Sequence, residues 1–304
     1  MKGKYLVTVV GPTAIGKTKL AVKLANYFKT EIISADSRQF YKEMSIGTAV
    51  PSSRDLESVP HHFIQHKSIH EDYNVGDFEK DALRVLNQLF AKKDYVIMVG
   101  GSGLYVDAVI YGLDTFPEID KEIRFKLNMR HKDEGLEVLQ NQLKTLDPEY
   151  YAKADIQNPR RVLRALEICL STGKTYSSFL NKTKPKRSFN SIIVGITADR
   201  EILYDRINQR VDRMMKNGLL EEARALYKFK DLNALQTVGY KELFDYFEGI
   251  QDLDFAISEI KKNTRRYAKR QLTWYRKSAS ILWVNYSDPH DSILNKITKL
   301  KDTL

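Results

Sequence analysis

The chain has 304 residues and a single cysteine, Cys169, which excludes an intrachain disulfide framework and a zinc site built from several cysteines. This length allows one large domain or two smaller ones, with enough core for stability without covalent staples. The formal charge of +10 favours an anionic partner, and nucleic acid before a membrane, because no basic amphipathic anchor is evident. Without a membrane-spanning stretch or a signal-peptide pattern, we expect a cytoplasmic protein.

The first predicted elements are a strand, Tyr5–Val10, and a helix that includes residues 20–25. A loop of the pattern G-x-x-x-x-G-K-T between a strand and a helix is typical of the P-loop, whose backbone N–H groups wrap around a phosphate. Lys17 would add a positive charge, and the Thr18 hydroxyl is a suitable ligand for Mg²⁺. The pattern does not decide whether the phosphates are hydrolysed, transferred or expelled. The predicted phosphate-binding residues are Gly11, Pro12, Thr13, Ala14, Ile15, Gly16, Lys17 and Thr18.

The second predicted strand, residues 31–35, ends next to Asp36. In a doubly wound sheet, residues just past the carboxyl ends of strands line the ligand crevice. Asp36 is therefore placed to accept a proton from a substrate hydroxyl or amine, and its alternative role is a helix cap or turn residue. Downstream, His61, His62, His66 and His70 invite a metal interpretation. We favour structural or phosphate-proximal roles, because adjacent residues on a strand point to opposite faces.

A helix over residues 77–92 and an apolar strand, Tyr95–Val99, come next. The strand runs into a second glycine-rich turn on the crevice side, where the Ser102 hydroxyl is either a substrate contact or a helix cap. From 115 to 190 the chain is helical and strongly charged, and then a buried strand over 191–196 resumes the sheet pattern. We predict a catalytic core formed by residues 1–114 and 191–304 and a helical insertion over 115–190.

Basic residues cluster in three predicted helices. Arg160, Arg161 and Arg164 share about one helical turn, which fits either a solvated face or contacts to a phosphate backbone. Arg206, Arg210 and Arg213 recur in the helix over 199–216 and would either reach a pyrophosphate or form surface ion pairs. The stretch 261–277 has eight basic residues, no acidic ones and interleaved aromatic rings, which favours contact with unpaired nucleotides. A strand over 281–284 and a terminal helix complete the chain.

Together the residues predict an α/β enzyme with a P-loop and a basic, RNA-facing surface. Two chemistries remain open on this basis. In a kinase, the loop would hold ATP while Asp36 deprotonates an acceptor. In a transfer with pyrophosphate as leaving group, the same loop and Mg²⁺ would hold the diphosphate while a carbon centre is attacked.

The combination of GPTAIGKT, ISADSRQFYKEMSIGTA, VPHHFI, VGGSGLY, NPRRVLRALE, VGYKE and KRQLTWYRK resembles the bacterial form of the tRNA dimethylallyltransferase (IPP transferase) family. These motifs stand in the family's order between residues 11 and 277. The resemblance implies a P-loop-type parallel sheet with a helical insertion. It also implies transfer of the dimethylallyl group of dimethylallyl diphosphate to N6 of adenosine 37, in tRNAs that read codons beginning with U. A monomer is expected.

The resemblance further implies residue roles. Asp36 would take the proton from N6 and Arg210, rather than Arg206, would neutralise diphosphate charge. Thr13 and Ser102 would complete the catalytic group; Ser102 stands where most members have threonine. The implied contacts to the tRNA anticodon stem-loop are Asp36, Ser37, Arg38, Gln39, Ser102, Arg124, Arg160, Arg161, Arg164, Gln236, Gly239, Tyr240, Lys241, Lys269, Arg270, Gln271, Trp274 and Arg276.

Three alternatives stay open. An adenylate isopentenyltransferase would share the loop and Asp36 but act on a free nucleotide, which needs neither the insertion nor the basic stretch. A small-molecule kinase would consume ATP and ignore tRNA. A binding module without catalysis would leave Asp36 idle.

Overall fold

The computed structural model describes residues 3–117, 119–180 and 185–301. The strands are β1 (Tyr5–Val10), β2 (Ile32–Ser34), β3 (His61–His62), β4 (Tyr95–Val99), β5 (Asn190–Thr197) and β6 (Ile281–Asn285). The helices are α1 (Lys17–Phe28), α2 (Ser53–Ser58), α3 (Val75–Phe90), α4 (Gly103–Tyr111), α5 (Lys121–Glu134), α6 (Leu136–Leu146), α7 (Pro148–Lys153), α8 (Pro159–Thr172), α9 (Arg200–Lys216), α10 (Leu219–Leu226), α11 (Tyr240–Phe247), α12 (Leu253–Tyr275) and α13 (His290–Lys301).

All six strands form one parallel sheet in the order β3-β2-β4-β1-β5-β6. The carboxyl ends of the strands therefore meet at one edge, and β1 with its glycine-rich loop lies near the middle of that edge. The predicted parallel α/β sheet is confirmed. The two-residue strand β3 and the helices α2, α4 and α10 are additions to the predicted elements.

The strands are buried on both faces, as expected for a parallel sheet covered by helices. In β1, Tyr5, Val7 and Val9 point to a core shared with α1, α9 and α13. The alternate residues Leu6 and Val10 point to a second core shared with α3 and α4. The period of two thus distributes the side chains of β1 between two cores, one on each face of the sheet.

The chain divides into two compact units. One unit runs from Gly112 to Lys186 and the other comprises the rest of the chain. The predicted insertion over 115–190 covers most of the first unit, although residues 181–184 of its basic end lie outside the described residues.

The helices α5 to α8 of the 112–186 unit pack around a core of leucines and valine, with Leu139 and Leu143 fully buried. Cys169 is buried with a free thiol, which confirms its predicted role as a small apolar residue. Across the described ranges, no helix is both long and apolar enough to cross a membrane.

Candidate active site

The glycine-rich loop between β1 and α1 is shaped by backbone conformations that side chains disfavour. Gly11 has φ +140°, and a Cβ there would lie 2.6 Å from the carbonyl oxygen of Ile196 in β5. Gly16 has φ +110° and is the N-cap of α1, with no side chain bonded to the first turn and no acidic residue in it. The N–H groups of that turn are consequently available to an anion.

Lys17 lies within this loop. Its Nζ donates a hydrogen bond of 2.8 Å to the Pro12 carbonyl oxygen. Burial lowers the pKa of Lys17 to about 8, against the opposing effect of the Asp36 carboxylate, and the Arg210 charge lowers it further. The pKa of Lys17 is therefore low in the absence of an anion, and a bound anion would stabilise the charged form of this lysine.

The loop opens on a cavity of about 790 Å³ at the carboxyl edge of the sheet. Its walls come from the loop after β1 and the first turn of α1, from the ends of β2 and β4, and from α2, β3 and α9. Two carboxylates, Asp36 and Asp55, face six cations, so the formal charge of the lining favours an anionic ligand. The cations are Lys17, Lys19, Arg54, Arg206, Arg210 and Arg213.

Asp36 is the second residue after β2 and lines this cavity. Its Oδ1 accepts a hydrogen bond of 3.1 Å from the backbone N–H of Arg38, which fixes the carboxylate by an Asx turn. Its charge opposes the lowering of the pKa of both Lys17 and Arg210. The cavity therefore combines a positioned carboxylate with a surplus of positive charge.

The two arginines that face the loop from α9 have different partners. Arg206 donates from Nε to the Ala14 carbonyl oxygen at 2.9 Å and lies over the Tyr286 ring. Burial lowers the pKa of Arg210, and Asp36 opposes this effect. Within the described ranges Arg210 has no hydrogen bond or ion pair within bonding distance, so its guanidinium is available to a ligand. Arg206 stabilises the loop backbone instead.

Ser102 lies in the turn between β4 and α4, where it meets Ser37 and Tyr267. Its Oγ accepts from the Ser37 N–H at 3.2 Å and lies 3.2 Å from the Ser37 Oγ. Tyr267 shares a side-chain hydrogen bond with Ser102, and burial, together with the charge of Asp36, raises the pKa of this tyrosine to about 12. The sequence reasoning missed Tyr267, although its place one helical turn before Gln271 puts both on one face of α12.

Two of the predicted RNA contacts, Gln271 and Tyr240, have buried side chains. Gln271 is 5% exposed and its amide bonds to Thr13 and Gly101. Tyr240 is fully buried and its hydroxyl donates to Glu222 at 2.7 Å. Neither side chain faces solvent, so both serve the protein's own packing.

Three further predicted contacts donate to backbone carbonyls. Arg38 bonds to the carbonyl oxygens of residues 233 and 234 at 2.8 and 3.0 Å. Gln39 bonds to those of residues 48 and 49, and Gln236 to that of residue 230. These groups order the loops that surround the cavity. Gly239, with φ +100°, begins α11 and is followed by the exposed Lys241.

The basic stretch of α12 divides into two halves. In the first half, Lys261 pairs with Asp212 at 2.6 Å and Lys262 pairs with Glu259 at 2.8 Å. In the second half the cations are exposed and, among the described residues, none of them has an ion-pair partner. They are Lys269, Arg270, Arg276 and Lys277. This half is the available basic surface.

Trp274 lies beside these cations and is 37% exposed. Its Nε1 donates to Asp107 at 2.9 Å, and a Cβ on Gly103 would lie 2.4 Å from its ring. The glycine is therefore needed for the ring to pack against α4. The indole is held in place with part of its surface open to solvent.

In the 112–186 unit, the buried Glu167 holds two arginines. Its carboxylate accepts from Arg124 Nε at 2.6 Å and from Arg164 at 3.3 Å. Arg124 remains 63% exposed by side chain, and Arg160 and Arg161 are exposed as well. A buried carboxylate thus orients guanidinium groups at the surface of this unit.

The chemistry of the donors fits a magnesium ion that is bound together with phosphates. Thr18 and Asp36 line the cavity, and the described ranges contain no cluster of three or more His, Cys, Asp or Glu able to hold a metal by itself. Mg²⁺ in phosphate sites needs only one or two protein oxygens, with phosphate and water as the other ligands.

The histidines of the sequence are dispersed. His61 Nδ1 lies 2.7 Å from the Val59 carbonyl oxygen, and its ring lines the cavity. His62 bonds to Glu31 at 2.7 Å, and His66 lies among the rings of Phe40, Phe63 and Tyr73. His70 packs against Phe229.

The fold and the cavity define a P-loop-type α/β protein, whose cationic cavity beside a carboxylate suits a phosphorylated ligand. A family model described as IPP transferase matches residues 39–278, and the chain belongs to this family. The tRNA dimethylallyltransferase of Christiangramia forsetii is 59% identical over 96% of this chain and 97% of its own length. That of Flavobacterium johnsoniae is 57% identical over 97% and 98%.

Solved structures agree with this assignment. The tRNA isopentenylpyrophosphate transferase of Bacillus halodurans is 39% identical, with a TM-score of 0.71 over 99% of this chain and 95% of that one. A eukaryotic dimethylallyltransferase acting on tRNA is 27% identical, with a TM-score of 0.78 over 94% and 74%. The chain is thus a transferase, and the predicted family is confirmed.

Proposed function

We propose that this protein is a tRNA dimethylallyltransferase that moves the dimethylallyl group of dimethylallyl diphosphate to N6 of adenosine 37, in tRNAs that read codons beginning with U. The observation that carries the proposal is the carboxylate of Asp36 inside a cavity lined by six cations. A diphosphate that leaves needs the cations, and an amine that attacks needs a base. Both requirements are met at one edge of the sheet.

In the proposed reaction, the N–H groups of the phosphate loop, Lys17 and Arg210 hold the diphosphate. The N6 amine attacks the allylic carbon, a C–N bond forms, the C–O bond to the diphosphate breaks, and Asp36 accepts the proton that N6 loses. Ser102, fixed by Ser37, offers a hydroxyl beside the amine. Mg²⁺, bound through the Thr18 hydroxyl and the phosphates, would supply further charge neutralisation to the leaving group.

Each of the two units carries exposed cations that we propose as RNA contacts. Lys269, Arg270 and Arg276 offer unpaired charge next to the partly exposed Trp274 ring, a combination suited to phosphates and unstacked bases of a loop. Arg124, Arg160, Arg161 and Arg164 would add phosphate contacts from the 112–186 unit. The target base has to leave its stack to reach a cavity at the end of the sheet, so we propose a flipped adenine.

The test is incubation of the purified protein with radiolabelled dimethylallyl diphosphate, Mg²⁺ and unmodified tRNA. Label should enter the tRNA without added ATP, and nuclease digestion should recover it on one adenosine of the anticodon loop. A matched tRNA with guanosine at that position should remain unlabelled. Label found only on AMP or ADP would assign the protein to the free-nucleotide class, and phosphate transfer from ATP would assign it to the kinases.

A further inference from the structure

Gln271 joins two loops that border the cavity. Its Oε1 accepts a hydrogen bond of 2.8 Å from the Thr13 N–H at the start of the phosphate loop. Its Nε2 donates one of 2.9 Å to the Gly101 carbonyl oxygen in the turn after β4. The residue is 5% exposed, so these bonds are shielded from water. A single carboxamide therefore sets the spacing between the two loops.

The surroundings of this amide leave it little freedom. A Cβ placed on Gly101 would lie 2.2 Å from the Gln271 Nε2 and 3.6 Å from the Lys17 Nζ. The turn after β4 thus approaches both the glutamine and the phosphate-binding lysine closely. Because Thr13 N–H is bonded to Gln271, it is turned away from a phosphate, and the N–H groups later in the loop remain for the ligand.

The same helix presents its opposite face to solvent, with the exposed Lys269 and Arg270 between Ala268 and Gln271 in the sequence. Gln271 thus belongs to the buried face of α12, together with Ala268 and Tyr275. Lys269 and Arg270 just before it are surface cations, but its side-chain hydrogen bonds are with the phosphate loop and the turn after β4. Gln271 therefore belongs to the basic stretch 261–277 by sequence, but in the fold its side chain faces the loops of the cavity.

We propose that Gln271 is a positioning residue of the diphosphate pocket, and that its carboxamide holds the phosphate loop in the conformation that binds the anion. This inference rests on the proposed function for the identity of the ligand, a diphosphate. It assigns a buried polar residue of the basic stretch 261–277 to the binding of the diphosphate. Within the stretch 261–277, the exposed cations would then contact RNA, whereas Gln271 would position the diphosphate pocket.

The experiment measures binding of magnesium pyrophosphate by isothermal titration calorimetry, in the absence of RNA. Gln271→Met removes both hydrogen bonds at similar side-chain volume and should weaken pyrophosphate binding at least tenfold. Binding of the anticodon stem-loop to the same variant should stay within threefold of the unaltered protein. Thr273→Ala, on the exposed side of the same helix, is the matched control and should change neither affinity.

Gly101→Ala provides an independent perturbation, because the added methyl group displaces the amide from the other side. It should also weaken pyrophosphate binding, and in the Gln271→Met background it should add less than twofold, since both changes act through one contact. Thermal unfolding of each variant verifies that it is folded. If Gln271→Met does not fold, pyrophosphate binding by Gly101→Ala alone tests the inference.

The opposite result for Gln271→Met, unchanged pyrophosphate affinity with weakened RNA binding, would overturn the inference and make this residue an RNA contact. Fully additive effects of the two substitutions would also contradict it. The measurement needs no turnover. A failure of the proposed transfer reaction would appear in the unaltered protein, and is thus distinguishable from a failure of the role assigned to Gln271.

Discussion

Replacing Lys17 by methionine should increase the stability of the folded protein at neutral pH, even though it weakens diphosphate binding. In the unfolded chain the lysine has an ordinary pKa of 10.5, whereas burial lowers its pKa to about 8 in the folded protein. Below pH 8 both states carry the proton, and this difference costs the folded state about 3 kcal/mol relative to an uncharged side chain. The variant also loses the hydrogen bond to Pro12, which lowers its stability by about 1 kcal/mol. The variant should therefore be about 2 kcal/mol more stable at pH 7.

The pH dependence identifies the cause. As the pH rises from 8 to 10.5, the folded protein releases the proton before the unfolded chain does, so the penalty in the unaltered protein fades. The stability difference should fall by about 2 kcal/mol between pH 7 and pH 9.5, as measured by urea denaturation. Lys19→Met, an exposed position in the first turn of α1, is the control and should change stability by less than about 0.5 kcal/mol. A stability difference that is the same at both pH values would refute the reasoning.

Four other predictions follow from the site. Asp36→Asn keeps an oxygen that accepts the Arg38 N–H but removes the base. The transfer rate should therefore fall about 100- to 10,000-fold, while the affinity for the stem-loop stays within a few-fold. Activity above a tenth of normal would mean that another group is the base. Arg210→Gln should raise the KM for dimethylallyl diphosphate about tenfold without affecting RNA affinity, and an unchanged KM would remove it from the pocket. Neutralising Lys269 and Arg270 should each reduce the slope of log affinity for RNA against log salt by about 0.7, and a constant slope would contradict phosphate contact. Glu222→Gln should lower the free energy of unfolding by about 1–3 kcal/mol, since this carboxylate accepts the backbone N–H groups of residues 45–47; an unchanged urea midpoint would contradict it.

The phosphate loop and the strand before it could be predicted because their determinants are local. Apolar residues of β1 next to Gly11 and Gly16 specify a strand, a tight turn and a helix start within a few residues of one another. The position of Asp36 followed from the same logic, since a short apolar strand ends just before it. Elements with weak local signals were missed: β3 has only two residues, and its pairing with β2 is what makes it a strand.

For the basic stretch 261–277, the local sequence predicts the helix but not which of its cations are unpaired. Its composition predicted a helix with a cationic surface, and the helix is there. Which cations are available depends on distant partners: Asp212 in α9 neutralises Lys261, and Asn208 in the same helix holds Arg265. No pattern within the stretch reports those partners.

The contacts of Gln271 and Tyr267 in the site could not be predicted from the local sequence either. Residues 258 positions apart, Thr13 and Gln271, share a hydrogen bond that only the packing of α12 against the sheet creates. The amino-acid sequence by itself determined the fold class, the phosphate loop and the carboxylate beside it, because periodicity and turn chemistry act over a few residues. The tertiary structure alone decided which polar groups line the cavity, which are exposed and which hold the loops, because burial and pairing arise between elements far apart in the chain.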